Sequence, residues 1–269
     1  MLNKGSNTAM ASTKKSLVDT ARIHGCASLL SVNSDSKTIK GVKEGFLTGV
    51  MYMMPDDQLC PMSELAGCRE ACLVTAGRAA FTPGIGQARA GRTAFFRKDR
   101  DAFMELLFRE ITGLVNKAAK QGLTPAIRPN GTSDINWSNV IHNGQTIFEA
   151  FPTVQFYDYT KSPSIIRAAA GEPNWSVTAS YSGASQKYAM LIKAAADKYG
   201  SNLAVVFRSA DLPDTFMGKP VVNGDKNDLR FLDDAHVVVG LKAKGQAKSD
   251  TSGFVVDADQ YNSNLIMAA

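Results

Sequence analysis

The sequence predicts an α/β fold: a partial (β/α)6 barrel of parallel strands, with a doubly wound parallel sheet as the structural alternative. Three observations carry that expectation. From Phe46 onward, short apolar runs alternate with helix-compatible segments; no linker-like stretch divides them; and a polar segment follows nearly every run. Parallel strands joined by helical crossovers would bring those polar segments to one rim, at the C-terminal strand ends, where α/β folds build their sites.

The elements follow in order. Ala27–Val32 and Phe46–Met54 read as strands, the second rich in bulky apolar residues and stopped by Pro55. Ser63–Ala76 reads as a helix, with a break expected at Pro83-Gly84. Asp99–Gln121 is the clearest helix: Phe103, Leu106, Leu107, Ile111, Leu114, Val115 and Ala118 recur at spacings of three and four, and Gly122 stands where a helix ends. Ala184–Tyr199 repeats the pattern, with Tyr188, Leu191, Ile192, Ala195, Ala196 and Tyr199 on one face and Gly200 after it. Pro125–Pro129, Thr153–Tyr159, Trp175–Tyr181, Leu203–Phe207 and His236–Leu241 are compact strand candidates, which makes six from Phe46. Residues 1–25, polar and rich in Ser, Thr, Lys and Asn, read as a flexible N-terminal arm. Residues 26–269 read as a single α/β domain with a cysteine loop at 60–72.

The 269 residues are 44% hydrophobic and 20% charged, which sets aside disordered, collagen-like and coiled-coil classes. No run approaches ~18 apolar residues, and Met1–Lys15 lacks the apolar core of a secretory signal, so a cytoplasmic protein without a membrane partner is expected. Lys and Arg number 30 against 25 Asp and Glu, a net charge of +5 that is compatible with a nucleotide or nucleic-acid partner.

The four cysteines are unevenly placed: Cys60, Cys68 and Cys72 cluster, while Cys26 stands alone. In an intracellular chain such a cluster points to a metal before a disulfide. On a helix, Cys68 and Cys72 would share a face, and Cys60 would fold back toward them across Pro61. A [4Fe-4S] cluster normally takes four cysteines; with three, one iron is left open to a substrate or cofactor. Zinc is the alternative, completed by His24 or Cys26, and buried thiols without any metal are the plain structural reading. A cysteine nucleophile would need a base, for which His24 is the nearest in sequence.

Other rim residues have two readings each. Asn130-Gly131-Thr132-Ser133-Asp134 offers close backbone approach, hydroxyls and a carboxylate for a polar ligand, or else an Asx or Ser/Thr turn. Asp158 and Lys161, at a strand end, are candidate catalytic residues, or a mutual ion pair. Ser180 and Ser182 suit a ribose hydroxyl or are exposed turn hydroxyls. Lys242, Lys244 and Lys248 suit a phosphate or form a solvated basic loop. No Ser-His-Asp order, P-loop or HExxH helix is present.

Several segments resemble the bacteriophage gene-product-88-like family: Gly67–Arg78, Arg128–Ile135, Phe156–Lys161, Asn223–Asp225 with Asp228–Phe231, and Gly240–Gly245. That resemblance implies work in the cytoplasm of an infected host cell. A more distant similarity is to radical S-adenosylmethionine (SAM) enzymes, which implies a partial barrel with cluster cysteines after the first strand, where Cys60, Cys68 and Cys72 fall. It also implies SAM contacts after the second and fourth strands, where Asn130, Ser133, Asp134 and Ser180 stand by chain order. The cysteine spacing departs from the CxxxCxxC of that superfamily, being Cx7Cx3C with Ala71 in place of the aromatic before the last cysteine. The function expected is an iron–sulfur, radical-SAM-like enzyme; the alternative is a zinc-stabilised or metal-free nucleic-acid-binding module.

Overall fold

The computed structural model describes residues 16–209 and 211–259, which form a ten-stranded, mostly parallel sheet flanked by helices. β1 (Leu30–Val32) pairs antiparallel with β2 (Phe46–Met51). β3 (Thr124–Arg128), β4 (Gln155–Thr160), β5 (Trp175–Ser180) and β6 (Leu203–Phe207) then follow in parallel, each beside its predecessor. A short hairpin, β7 (Thr215–Phe216) and β8 (Lys219–Asn223), precedes β9 (Val238–Lys242). β9 joins β6, β8 joins the outer side of β9, and β10 (Val255–Val256) runs parallel to β6.

Strands β2 to β6 and then β9 are thus parallel and stand in chain order, with no reversal of the kind that defines a doubly wound sheet. No pairing among the described residues joins the two sheet edges, so the sheet is open and not a closed barrel.

Side chains alternate across each strand and divide the sheet into two faces. Leu47, Met51, Ile127 and Phe156 face the helical layer, where they share a core with Phe103, Leu106, Leu107 and Leu114 of a long helix. Leu203, Val205 and Phe207 do the same against Tyr188, Ile192 and Ala196. The helices are α1 (Ser36–Gly41), α2 (Pro83–Lys98), α3 (Arg100–Lys120), α4 (Ile147–Ala150), α5 (Pro163–Ala169) and α6 (Gln186–Tyr199). The ends of α3 and α6 follow from sequence: Asp99 and Ser185 accept from the first-turn amides, and Gly122 and Gly200 adopt φ of +65° and +73° after the last turns.

Three expectations give way. Ser63–Ala76 is a series of turns with one 3-10 segment, Leu73–Thr75, because Gly67 sits in the left-handed region at φ +63°. Pro83-Gly84 opens α2 instead of breaking the chain, as proline at the first helical position allows. Of the expected 1–25 arm, residues 1–15 lie outside the described residues, while 16–23 are helical, with Ala21 buried and Leu17 and Val18 packed on the core.

Candidate functional site

β3 ends in a segment held from every side. The Asn130 side-chain oxygen accepts from Ser133 Oγ (2.9 Å), the Ile135 amide (3.0 Å) and Trp137 Nε1 (3.2 Å), while its Nδ2 donates to the Ile135 carbonyl and to Asp158. Gly131 donates its amide to the Met51 carbonyl, and a Cβ there would fall 2.7 Å from that oxygen, so no larger residue fits without shifting β2. Thr132 donates to the Met53 carbonyl (2.6 Å). The Asp134 carboxylate accepts from Thr160 Oγ1 (2.6 Å) and the Lys161 amide (2.9 Å), which ties this loop to the end of β4.

The loop after β2 carries the thiols and is held mainly at its edges. The Asp134 amide donates to the Leu59 carbonyl, Ser182 Oγ to the Ala66 carbonyl (2.7 Å) and Ser252 Oγ to the Gly67 carbonyl (2.9 Å). Cys60, Cys68 and Cys72 are free thiols and line one cavity of about 390 Å³ at the C-terminal strand ends. Burial, reinforced by the Asp134 charge, pushes the Cys60 thiol up to about 12; burial also raises Cys68. Lys161 is enclosed in the same place. Burial alone would lower it, but Cys68, Asp134, Cys72 and Cys60 together hold its ammonium above the ordinary value. Among the described residues no three His, Cys, Asp or Glu side chains form a group able to hold a metal ion as they stand.

The inward-facing residues near the ends of five successive parallel strands form the inner wall: Arg128, Tyr159, Ser180, Val206 and Leu241. Arg128 is buried against Asp228 (3.2 Å) and lies over the Tyr159 ring, 4.8 Å from its centroid; Tyr157 donates to the same Asp228 (3.1 Å). The Arg128 Nε and the Tyr159 hydroxyl are buried without a hydrogen-bond partner. Beyond them, Asp225 pairs with both Lys37 (2.9 Å) and Lys244 (2.6 Å), and its carboxyl is held below the ordinary range by these contacts against the effect of burial.

Most residues singled out in the sequence therefore meet here. Cys60, Cys68, Cys72, Asn130, Ser133, Asp134, Lys161 and Ser180 all border the cavity. Asp158 does not. It points to the opposite face of β4, fully buried, and accepts from the Asn130 amide (2.8 Å), Asn130 Nδ2 (3.1 Å) and Trp175 Nε1 (3.3 Å). Nor do Asp158 and Lys161 pair: Lys161 borders the cavity, and Asp158 lies on the face of β4 turned away from it. Cys26 donates to the Ala21 carbonyl (3.5 Å) and His24 stacks on Phe95 (5.0 Å between centroids); neither borders the cavity, so neither stands where a fourth zinc ligand is needed. Sequence reasoning missed Arg128, Tyr159, Asp225, Asp228 and Lys37. For Arg128 a signal existed, a charge closing an otherwise apolar strand; for Asp228, one hundred residues away, there was none.

Fold and site together define an α/β protein with an open parallel sheet whose strand ends surround a thiol-lined cavity. A family model described as Gene product 88 matches residues 28–258, and the chain belongs to that family. No curated protein and no solved structure matches it. No helix among the described residues is long and apolar enough to cross a membrane.

Proposed function

We propose that this chain is an iron–sulfur enzyme of radical-SAM-like type, with Cys60, Cys68 and Cys72 as the cluster ligands and a partial (β/α)6 barrel as its frame. The observation that carries the reading is that three free thiols, from the loop after the first of six in-order parallel strands, line one cavity that contains no fourth cysteine. The donor set suits a cluster. Thiolate sulfur is the usual iron–sulfur ligand, and three leave one iron open. A single zinc would gather its sulfurs to within about 4 Å of one another, whereas a four-iron cluster spreads its ligands further across a cavity of this kind. When bound, such a cluster supplies one-electron reduction of a ligand held at the open iron.

The chain's own residues then have definable tasks. Lys161 places a fixed positive charge against the thiolates and offsets their mutual repulsion. The Asn130–Asp134 segment, locked by its hydrogen bonds, presents polar backbone and the Ser133 side chain to a small cofactor without having to reorganise. Ser180, on the inner face of β5, is placed for a ribose hydroxyl. Leu73, Val74 and Phe254 supply apolar wall to the same cavity.

The test is anaerobic purification followed by iron and sulfide analysis. The expected result is a brown protein with about four irons and four sulfides per chain, lost when the three cysteines become serine. A colourless protein holding one zinc and no sulfide overturns the proposal, and so does one that binds no metal after reconstitution. SAM is tested separately by calorimetry on the loaded protein.

A further inference from the structure

Arg128 is a buried guanidinium that leaves one of its edges unused. Where an arginine meets a carboxylate as a fork, two nitrogens face two oxygens. Here a single nitrogen, Nη1, donates to both oxygens of Asp228 (3.3 and 3.2 Å), and the Tyr157 hydroxyl donates to one of them (3.1 Å). Nε has no partner, and Nη2 makes no hydrogen bond among the described residues. Nε is closed to solvent, so a ligand meets this free edge from its Nη2 end. Buried donors are normally satisfied, and this residue borders the cavity. The Tyr159 ring, 4.8 Å from the guanidinium, and the Asp228 contact hold its plane before anything binds.

The charge on this wall fits a ligand with one negative charge. Lys37, Arg128 and Lys244 border the cavity here. Asp228 answers Arg128, and Asp225 is shared between the two lysines, so one positive charge remains. The other late lysines do not add to it. Lys242 stands level with Phe207, which places its side chain on the helical face of β9, and Lys248 does not border the cavity. A carboxylate carries one charge and two coplanar oxygens that match a guanidinium edge; a phosphate monoester brings about two charges on a tetrahedral group. Further along the same wall the lining is apolar. Val206 and Leu241 lie in register on neighbouring strands, both on the cavity face, and Phe254 also borders the space. The volume, about 390 Å³, is that of a small-molecule site.

We propose that this cavity binds a small acid with an apolar body, its carboxylate on the free edge of Arg128 and its carbon chain against Val206 and Leu241. The site is independent of the iron–sulfur reading, since none of these residues is a cluster ligand.

The experiment is a thermal-unfolding series on the full chain, in metal-free and reconstituted forms, at constant ionic strength. The additives are hexanoate, acetate, hexylammonium, inorganic phosphate and chloride. Hexanoate at about ten times its dissociation constant should raise the midpoint by ~3 °C over chloride in both forms. Acetate, which lacks the chain, should need at least about ten times the concentration for the same rise. Arg128→Lys keeps a charge for Asp228 but loses the fork, and should weaken hexanoate about tenfold or more. Should that variant unfold, Arg128→Met with Asp228→Leu removes both charges together and should show no response to hexanoate. Lys120→Met, at the end of α3, keeps the response of the parent chain. The proposal is overturned if hexanoate does no better than chloride, or if the Arg128 variants respond like the parent. It is also overturned if hexylammonium matches hexanoate, which would make the cavity merely apolar, or if phosphate does, which would make the wall a general anion contact. A hexanoate response without iron loading would sink the cluster reading alone; iron loading without that response would sink this one alone.

Discussion

The loops after β2 and β3 leave neighbouring strands at the same end of the sheet, yet they are held in opposite ways. After β3, nearly every polar group of Asn130–Asp134 is engaged, and the segment is buried between β2 and β4. After β2, the chain passes through successive turns from Asp56 to Ala76, anchored at Leu59, Ala66 and Gly67, and the thiols between those anchors have few partners of their own. Hydrogen bonds made in advance fix geometry, which suits a surface that must recognise a ligand. Thiols with so few bonds, such as the single long one from Cys68 Sγ to the Ser63 carbonyl (3.6 Å), suit a group whose bonds are made later. The difference teaches that one half of the cavity is finished by folding and the other is arranged to be completed by what binds there.

The comparison breaks first at the floor shared by both halves. Asp228 is buried against Arg128 and Tyr157. Asp228→Ala leaves the guanidinium uncompensated in the interior, and the expected loss is about 3–5 kcal/mol in urea unfolding. Arg128→Met combined with Asp228→Leu should cost less than that single change, because both charges then leave together. A single-variant loss below about 1 kcal/mol would mean that water reaches the floor and that the finished half is not rigid.

How much of this was legible from sequence depends on the range of the interaction. The apolar runs at Phe46 and Leu203 reported parallel strands because burial on both faces leaves few polar positions. The periodic faces of α3 and α6 were equally plain. α2 was not, since its buried side includes Arg89 and Arg92, whose guanidinium groups sit over Tyr52 or donate to backbone carbonyls across the fold. β8 is a partly exposed strand between β9 and the two-residue β7, with no alternating pattern. The helical reading of the cysteine loop failed at Gly67, where the backbone turns left-handed and a Cβ would come within 2.6 Å of Ala184, a neighbour that only the tertiary structure supplies. The convergence of the thiols with the β3 loop followed from strand order alone. The Arg128–Asp228 and Lys37–Asp225 pairs join residues too distant in sequence to leave a local trace.

Asp158 sharpens the contrast by testing the finished half from behind. Oδ1 receives the Asn130 amide and Oδ2 receives both Asn130 Nδ2 and Trp175 Nε1, so Asp158→Asn, with its one acceptor oxygen in the Oδ2 place, leaves the buried Asn130 amide facing an amide NH2. The expected cost is about 1–3 kcal/mol. Burial also pushes its carboxyl up to about 8, against the hydrogen bond from the Asn130 amide. A raised acid binds more protons folded than unfolded between its ordinary pKa and the raised one. Its contribution to stability therefore falls as pH rises from about 4 to about 8. Urea unfolding over that range should show the decline in the parent chain, and the Asn variant should lack this component. Equal pH slopes in the two proteins would show that the carboxylate is already ionised in the folded state.

In the unfinished half the effects should be small on folding and large on loading. Ser182→Ala removes the hydroxyl that donates to Ala66 and accepts from the Ala184 amide, and about 1 kcal/mol of stability should go with it. Cys72→Ser should change stability by less than about 0.5 kcal/mol, since the thiol is only half buried and makes no hydrogen bond among the described residues. The same variant should lose most of the iron bound by the parent chain after reconstitution, read as iron and sulfide per polypeptide. A serine variant that folds as well and loads as well would place the ligands elsewhere. One that unfolds would show the thiol to be packing material, and the two loops would then differ only in appearance.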